Sequence, residues 1–280
     1  MATNKIAPAK RKVFLANYID LHNHILPGID DGPRTMDEAV QLARDLVNAG
    51  YSTVVATPHA FEGQPAPQVI LERLEELQDE LDAAEINLKL LPGSEQLIGP
   101  GLLELLKEGQ ILTLNNTKYL LLELPMLQPL PVYTEQLLFD LSQKGYRPVI
   151  PHPERVIALN RNHELLYRLN QAGALYQVTW AALPGLLGST AQQTVQAMLT
   201  ARLAHIFATD AHHPTTRLLS VDEASALYEE LEGPGSAELM LTTRPGLLLD
   251  NQSLDLPEAL APEAWSRKKG SFFSRLRGLK

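Results

Sequence analysis

The 280-residue chain contains no cysteine, which excludes disulfides, thiolate metal sites and every mechanism built on a cysteine nucleophile. It has no apolar run near the ~20 residues that a membrane-spanning helix needs, so it is not read as an integral membrane protein. Basic charge is scarce as well: 24 Lys and Arg stand against 33 Asp and Glu, for a net −9, the wrong sign for the basic footprint of a nucleic-acid binder. The N-terminus, MATNKIAPAKRKVFLANYID, is basic but lacks the apolar stretch of a secretory signal, which leads us to expect a cytoplasmic protein. Charge is unevenly placed: residues 267–280 hold six cations and no acid, leaving −15 on the first 266 residues. The hydrophobic share of 45% is ordinary and sufficient for a sizeable core.

Short β-rich apolar runs alternate with stretches of helical spacing, the order expected of a parallel sheet with crossover helices. Seven strands are read, at 18–22, 52–58, 86–92, 118–124, 147–151, 174–179 and 205–210. The first helix opens at Thr35 and Glu38, which have capping-box spacing, and stops at Gly50. A second, over 67–84, has Val69, Leu71, Leu74, Leu77 and Leu81 as its apolar stripe. Others are predicted over 102–107, 134–144, 160–172, 189–203 and 221–231. Seven βα units without a composition break predict one α/β barrel domain over 18–250. Residues 1–17 read as a basic extension and the Pro-bearing 251–266 as a linker. Residues 267–280 read as a basic tail with Phe272, Phe273, Leu276 and Leu279 on one helical face.

Metal-type side chains gather just past the C-terminal ends of these strands. His22 and His24 follow strand one, and an i, i+2 pair on extended chain turns both side chains to one face. His59 follows strand two, Glu95 strand three, Glu123 ends strand four, His152 follows strand five, and Asp210 and His212 follow strand seven. In a parallel barrel those ends meet at one mouth. These eight donors exceed the roughly three or four protein ligands of one catalytic ion, so the surplus points to two or three ions. Asp31 in GIDDGP is a ninth candidate. With nitrogen and oxygen donors alone, manganese, iron and zinc all suit the set. Glu123 closes an apolar strand, where a carboxylate is costly to bury without a positive partner. His163 in a predicted helix and His205 at the far end of strand seven read as structural, and His213 stays open between the two roles. Arg155 in PHPER and Arg217 in TDAHHPTTR fall on loops at the same mouth. Paired guanidinium forks beside metal ligands suggest a phosphate ester, with surface salt bridges as the alternative.

The segments DLHNHILPGIDDGP, ATPH, LPGSE, LLELP, PHPER and ATDAH occur in this order between about residues 18 and 250. They resemble the polymerase and histidinol phosphatase (PHP) superfamily, and more closely its bacterial capsule-type protein tyrosine phosphatases, the CpsB/CapC group. The resemblance implies a distorted seven-stranded (β/α) barrel of TIM type with a trinuclear, often manganese-loaded site. It implies removal of phosphate from the tyrosine cluster of a kinase that controls capsular and exopolysaccharide export. Carried over motif by motif, the ligands are His22, His24, Asp31, His59, Glu95, Glu123, His152, Asp210 and His212, with Arg155 and Arg217 on phosphate. The expected mechanism is in-line attack by a metal-bridging hydroxide, with Asp31 or His212 as candidate general acid. Ala60 and Trp180 depart from the polar residues expected beside the site, which bears on the shape of the pocket.

Three rival readings use the same residues. One is a phosphatase of a small metabolite such as histidinol phosphate, and another a metal-dependent amidohydrolase, which also begins with a His-x-His pair but often has a modified lysine where Glu123 stands. The third is a scaffold that keeps the fold without turnover, against which the intact donor set speaks. The tail suits a short helix on an anionic membrane, so peripheral contact at the inner membrane face is expected beside the alternative of a disordered solubilising tail.

Overall fold

The computed structural model describes residues 17–213 and 221–265. Arg217, the basic tail and all but the last residue of the N-terminal extension lie outside the described residues. Strand forms at each of the seven predicted positions: β1 (Tyr18–Asn23), β2 (Tyr51–Ala56), β4 (Lys89–Pro92), β6 (Tyr119–Glu123), β7 (Arg147–Pro151), β8 (Leu175–Thr179) and β9 (Ile206–Ala208). Two short strands were not expected, β3 (His59–Ala60) and β5 (Glu95–Leu97), which continue β2 and β4 after a break. The pairing therefore differs from a single seven-stranded ring. A three-stranded sheet, β1-β2-β4, adjoins a six-stranded one, β3-β5-β6-β7-β8-β9, and every pair is parallel. The first break falls at Pro58, which offers no amide to a ladder; the second falls at Gly93, where the backbone passes so close to β2 that a Cβ would lie 2.8 Å from Val55 Cγ1. An isolated parallel bridge, Asn23 to Ala211, joins the end of β1 to the segment after β9.

The helices follow from capping and periodicity. In α1 (Met36–Asn48) the Thr35 hydroxyl accepts from the Glu38 amide at 3.3 Å, while Glu38 Oε2 reaches back to the Arg34 amide at 2.7 Å. In α2 (Pro67–Ala83) the buried stripe is Ile70, Leu77 and Leu81 with Leu74 beside it, whereas Val69 and Leu71 are 45% and 37% exposed. The expected stripe began one residue off, and each residue turns a helix by about 100°. After α3 (Leu102–Lys107) and α4 (Thr134–Gln143), the helix expected over 160–172 is two, α5 (Ile157–Arg161) and α6 (Glu164–Gln171). Extended backbone at Asn162 parts them, and its side-chain oxygen accepts from the Glu164 amide at 3.1 Å. Then come α7 (Ser189–Ala201) and α8 (Val221–Glu232). Residues 236–249, for which no element was predicted, form short helical turns.

Residues 251–265, expected as a linker, run against the body. The Lys118 amide bonds Asn251 Oδ1 at 2.8 Å, the Leu260 amide bonds the Ala201 carbonyl at 2.9 Å, and Trp265 is buried. Weak patterning hid this because scattered anchors hold the segment, not a continuous apolar face.

Two apolar clusters sandwich the strands. The larger packs the helices against one face through residues such as Leu120, Leu122, Ile150, Tyr176 and Phe207. The smaller takes the alternate residues, among them Leu21, Val55, Leu121, Val149, Leu175 and Ile206. Burial on both faces explains why β6 reads as an unbroken apolar run.

Candidate metal centre

The parallel strands deliver their C-terminal ends to one cavity of about 320 Å³, lined by Asp31, His59, Glu123, His152, Arg155, Asp210, His212 and others. The β3-β5-β6 ladder sets part of the register, pairing His59 with Glu95 and Leu97 with Glu123. His152 and Asp210 follow β7 and β9 with φ of 35° and 53°. Left-handed backbone is unfavourable for residues with a Cβ, and such conformations concentrate at functional sites.

Glu95 is the hub. Its Oε2 lies 3.3 Å from Nε2 of both His22 and His24 and 2.9 Å from His59 Nδ1, while its Oε1 lies 2.8 Å from His152 Nε2. Asp210 Oδ1 stands 3.5 Å from His22 Nε2 and 3.6 Å from His212 Nδ1, and its Oδ2 takes Arg155 Nη1 at 2.9 Å. Asp31, on the open side, is 3.2 Å from His212 Nε2 and 3.5 Å from His59 Nε2. Glu123 approaches His59 and His152 at 4.0 Å. Among the described residues, three overlapping groups have ligand atoms within 4.8 Å of one another: His24, Asp31, His59 and His212; His22, His24 and Glu95; His59, Glu95 and Glu123.

Burial and charge pull these groups in opposite directions. Desolvation would raise the Glu95 carboxyl, but His22 and His152 overcome it and hold it well below the usual range. Desolvation would lower His24, but its bonds to Asp30 and Glu95 lift it to about 10. Glu123 is raised, first by burial and then by the Glu95 charge. His212 is lowered to about 4 by burial and by His24.

The donor set fits divalent cations. Gln177 Nε2 donates to the Val178 carbonyl at 3.0 Å, so its oxygen faces His22 Nδ1 at 2.7 Å. His24 Nδ1 faces Asp30 Oδ2 at 2.7 Å. Both outer nitrogens must therefore donate, so each ring would aim an Nε2 lone pair inward once a cation replaces the proton there. Those two nitrogens are 3.1 Å apart with a carboxylate oxygen beside them. Protons or cations must separate such electron pairs, and nitrogen and oxygen donors in groups of three or four are what Mn, Fe or Zn take.

All nine candidate donors come together, and Arg155 joins them; Arg217 lies outside the described residues. His213 lines the cavity. His163 and His205 lie elsewhere, against Thr194 and Tyr176 respectively. Trp180, which raised doubt about the pocket, is buried away from it and stacks on Phe207 at 4.4 Å. Sequence reasoning missed Asp30 and Gln177, which touch His24 and His22 from behind, and Asp20, which bonds Thr209 and Asn23 beside the donors. Their one legible signal was polarity inside apolar strands, at Asp20 in YIDLH and Gln177 in LYQVT.

The chain is similar to several known proteins. The tyrosine-protein phosphatase YwqE of Bacillus subtilis is 39% identical over 238 residues, which span 84% of this chain and 93% of its own. The tyrosine-protein phosphatase CpsB of Streptococcus agalactiae serotype V is 32% identical over 162 residues, 57% of this chain and 66% of its own. A crystal structure presented with YwqE from B. subtilis and CpsB from Streptococcus pneumoniae, described as unique metal-dependent tyrosine phosphatases, matches with a TM-score of 0.82. It is 37% identical and covers 87% of this chain and 98% of that one. The family model described as "Capsular polysaccharide synthesis, CpsB/CapC" matches residues 18–250, and the chain belongs to that family.

Proposed function

We infer that the chain is a metal-dependent protein tyrosine phosphatase that acts on the phosphotyrosines of a kinase regulating capsular or exopolysaccharide synthesis. The convergence of nine histidine and carboxylate donors with Arg155 on one cavity carries this reading. Family membership and the activity named for its relatives support it. His22, His24, Asp31, His59, Glu95, Glu123, His152, Asp210 and His212 would hold two or three divalent ions, manganese in first place, with iron or zinc as alternatives. When bound, such ions supply Lewis acidity and an activated water at neutral pH.

The protein's own groups do the rest. Arg155 is oriented by Asp210 Oδ2 at 2.9 Å, and its free edge can fork two phosphoryl oxygens; Arg217 is proposed as its partner. Asp31 and His212, 3.2 Å apart at the mouth of the cavity, are the two candidate general acids. Of the two, Asp31 is the more open to solvent, its side chain 68% exposed. A phenol of pKa about 10 is a fair leaving group, so the demand on that acid is modest. Residues 18–250 are taken as the catalytic domain, and the two adjoining sheets as one distorted barrel.

The test pairs metal analysis with turnover of a phosphotyrosine peptide and of histidinol phosphate, before and after chelation. Peptide turnover that disappears on chelation and returns with manganese is expected. Preference for histidinol phosphate would favour the metabolite reading, and turnover surviving His22→Ala with His24→Ala would sink the metal claim.

No described helix is long and apolar enough to cross a membrane. Peripheral contact through residues 267–280 is proposed from their charge and apolar face. Equal co-sedimentation with anionic liposomes of the full chain and a version ending at residue 265 would count against it.

A further inference from the structure

We propose that Asp30 is a positioning residue that makes His24 a stronger metal donor than its neighbour His22. The inference rests on the metal-dependent reading above. The two imidazoles aim Nε2 atoms 3.1 Å apart at the same centre, yet their outer nitrogens meet different chemistry. His24 Nδ1 faces a carboxylate, Asp30 Oδ2, at 2.7 Å; His22 Nδ1 faces a neutral amide, Gln177 Oε1, at the same distance. Both bonds fix the tautomer with Nδ1 protonated. Only the carboxylate also pushes charge into the ring, and that raises the basicity of the ligating nitrogen.

Asp30 is built into place. Its Oδ1 accepts from the Gly32 amide at 2.9 Å, and its Oδ2 also accepts from the His59 amide at 3.1 Å. One carboxylate thus ties the side chain of His24, after β1, to the backbone of His59 on β3. The adjacent acids divide the work: Asp31 faces His59 and His212 across the open cavity, while Asp30 turns behind the donors. Gly32 permits the turn, since a Cβ there would fall 2.1 Å from the His24 carbonyl oxygen.

The experiment is manganese titration by calorimetry on the full chain stripped of metal, wild type beside Asp30→Asn. Asparagine keeps the size and one acceptor oxygen but removes the charge. The variant should keep the wild-type circular dichroism and bind manganese about 10-fold more weakly, the lower end of what losing such an outer partner costs. Its kcat should return to near wild type when manganese is raised to saturation. A merely structural Asp30 would lower the melting temperature without moving the affinity of the folded protein, and unchanged affinity in Asp30→Asn overturns the proposal. If that variant does not fold, imidazole NMR on the zinc-loaded wild type decides. The Nδ1 proton of His24 should resonate further downfield than that of His22, and equal or reversed shifts overturn the proposal. A wild type that takes up neither manganese nor zinc overturns the phosphatase reading and this inference with it. A metal-binding wild type with an indifferent Asp30 removes this inference alone.

Discussion

The Asp20 carboxylate on β1 grips Thr209 just past β9 twice, taking its backbone amide at 3.0 Å and its hydroxyl, and Asn23 Nδ2 adds a third bond at 2.9 Å. All three residues are fully buried. The grip lies where strand pairing between β1 and the chain after β9 is reduced to a single bridge, so it stands in for a missing ladder. It also sets His22 and His24 opposite Asp210 and His212. Asp20→Ala should lower the unfolding free energy by about 3 kcal/mol, since loss of this acceptor leaves the buried Thr209 and Asn23 donors unsatisfied. Urea denaturation measures this. Metal uptake should fall as well, and a variant of wild-type stability would show that the grip is incidental.

Gly32 sits in GIDDGP with no room for a methyl group: an added Cβ would approach the His24 carbonyl oxygen to 2.1 Å and Asp30 Oδ1 to 3.0 Å. The first contact is with backbone and cannot swing away. Gly32→Ala should therefore displace the loop, at a cost of about 1–3 kcal/mol typical of overpacking. Manganese content per folded chain should drop, because Asp30 and Asp31 both ride on that loop. Retention of full manganese content would mean that the loop relaxes without moving its carboxylates.

Arg155 separates charge from geometry. Its guanidinium has one nitrogen on Asp210 and lines the cavity, so a lysine can keep the charge but not the fork. On a phosphotyrosine peptide, Arg155→Ala should lower kcat/KM by about 100-fold, the size of losing one preorganised stabiliser of developing charge. Arg155→Lys should recover only part of it. Metal content should be unchanged in both, and a parallel loss of metal would instead assign Arg155 to holding Asp210.

The gathering of the candidate donors was legible because their chemistry shows in the letters. Histidine and carboxylate at the end of one apolar run after another is a pattern that periodicity alone exposes, and β1, β2, β4, β6, β7, β8 and β9 all formed where expected. What stayed hidden needs three dimensions. That Glu95 is the hub of four histidines depends on pairing His59 with Glu95 across β3 and β5, two-residue and three-residue strands too short for any periodicity. The left-handed backbone at His152 and Asp210 has no residue signature, since neither is glycine. Asp30 and Asp31 are identical letters whose opposite directions follow from the hydrogen bonds of one loop. The α2 stripe failed for a simpler reason: Val69, Ile70 and Leu71 are all apolar, and only tertiary packing chooses which of three adjacent residues faces inward.

His205 gives a prediction in pH. Its ring is buried, and Nδ1 accepts from the Tyr176 amide at 2.9 Å, a bond that only an unprotonated nitrogen can make. Burial, reinforced by Arg244 and Arg147, lowers its pKa to about 3, against about 6.5 in an unfolded chain. Above pH 6.5 the ring is neutral in both states and its contribution is complete. As pH falls from 6.5 towards 3, the unfolded chain takes a proton that the fold refuses, so stability declines by up to about 1.4 kcal/mol per pH unit. His212, lowered to about 4, adds a decline of the same sign over a narrower window. His24, raised to about 10, acts the other way: its contribution is complete below pH 6.5 and is lost as pH rises towards 10, so it does not cause the acid-side slope. Urea midpoints in chelator between pH 6.5 and 4.5 should therefore slope downward. The slope should lose about half its steepness in His205→Gln, whose amide oxygen can still accept from Tyr176 but never titrates. An identical slope in the variant would assign the acid sensitivity to His212 and the carboxylates and leave His205 a packing residue only.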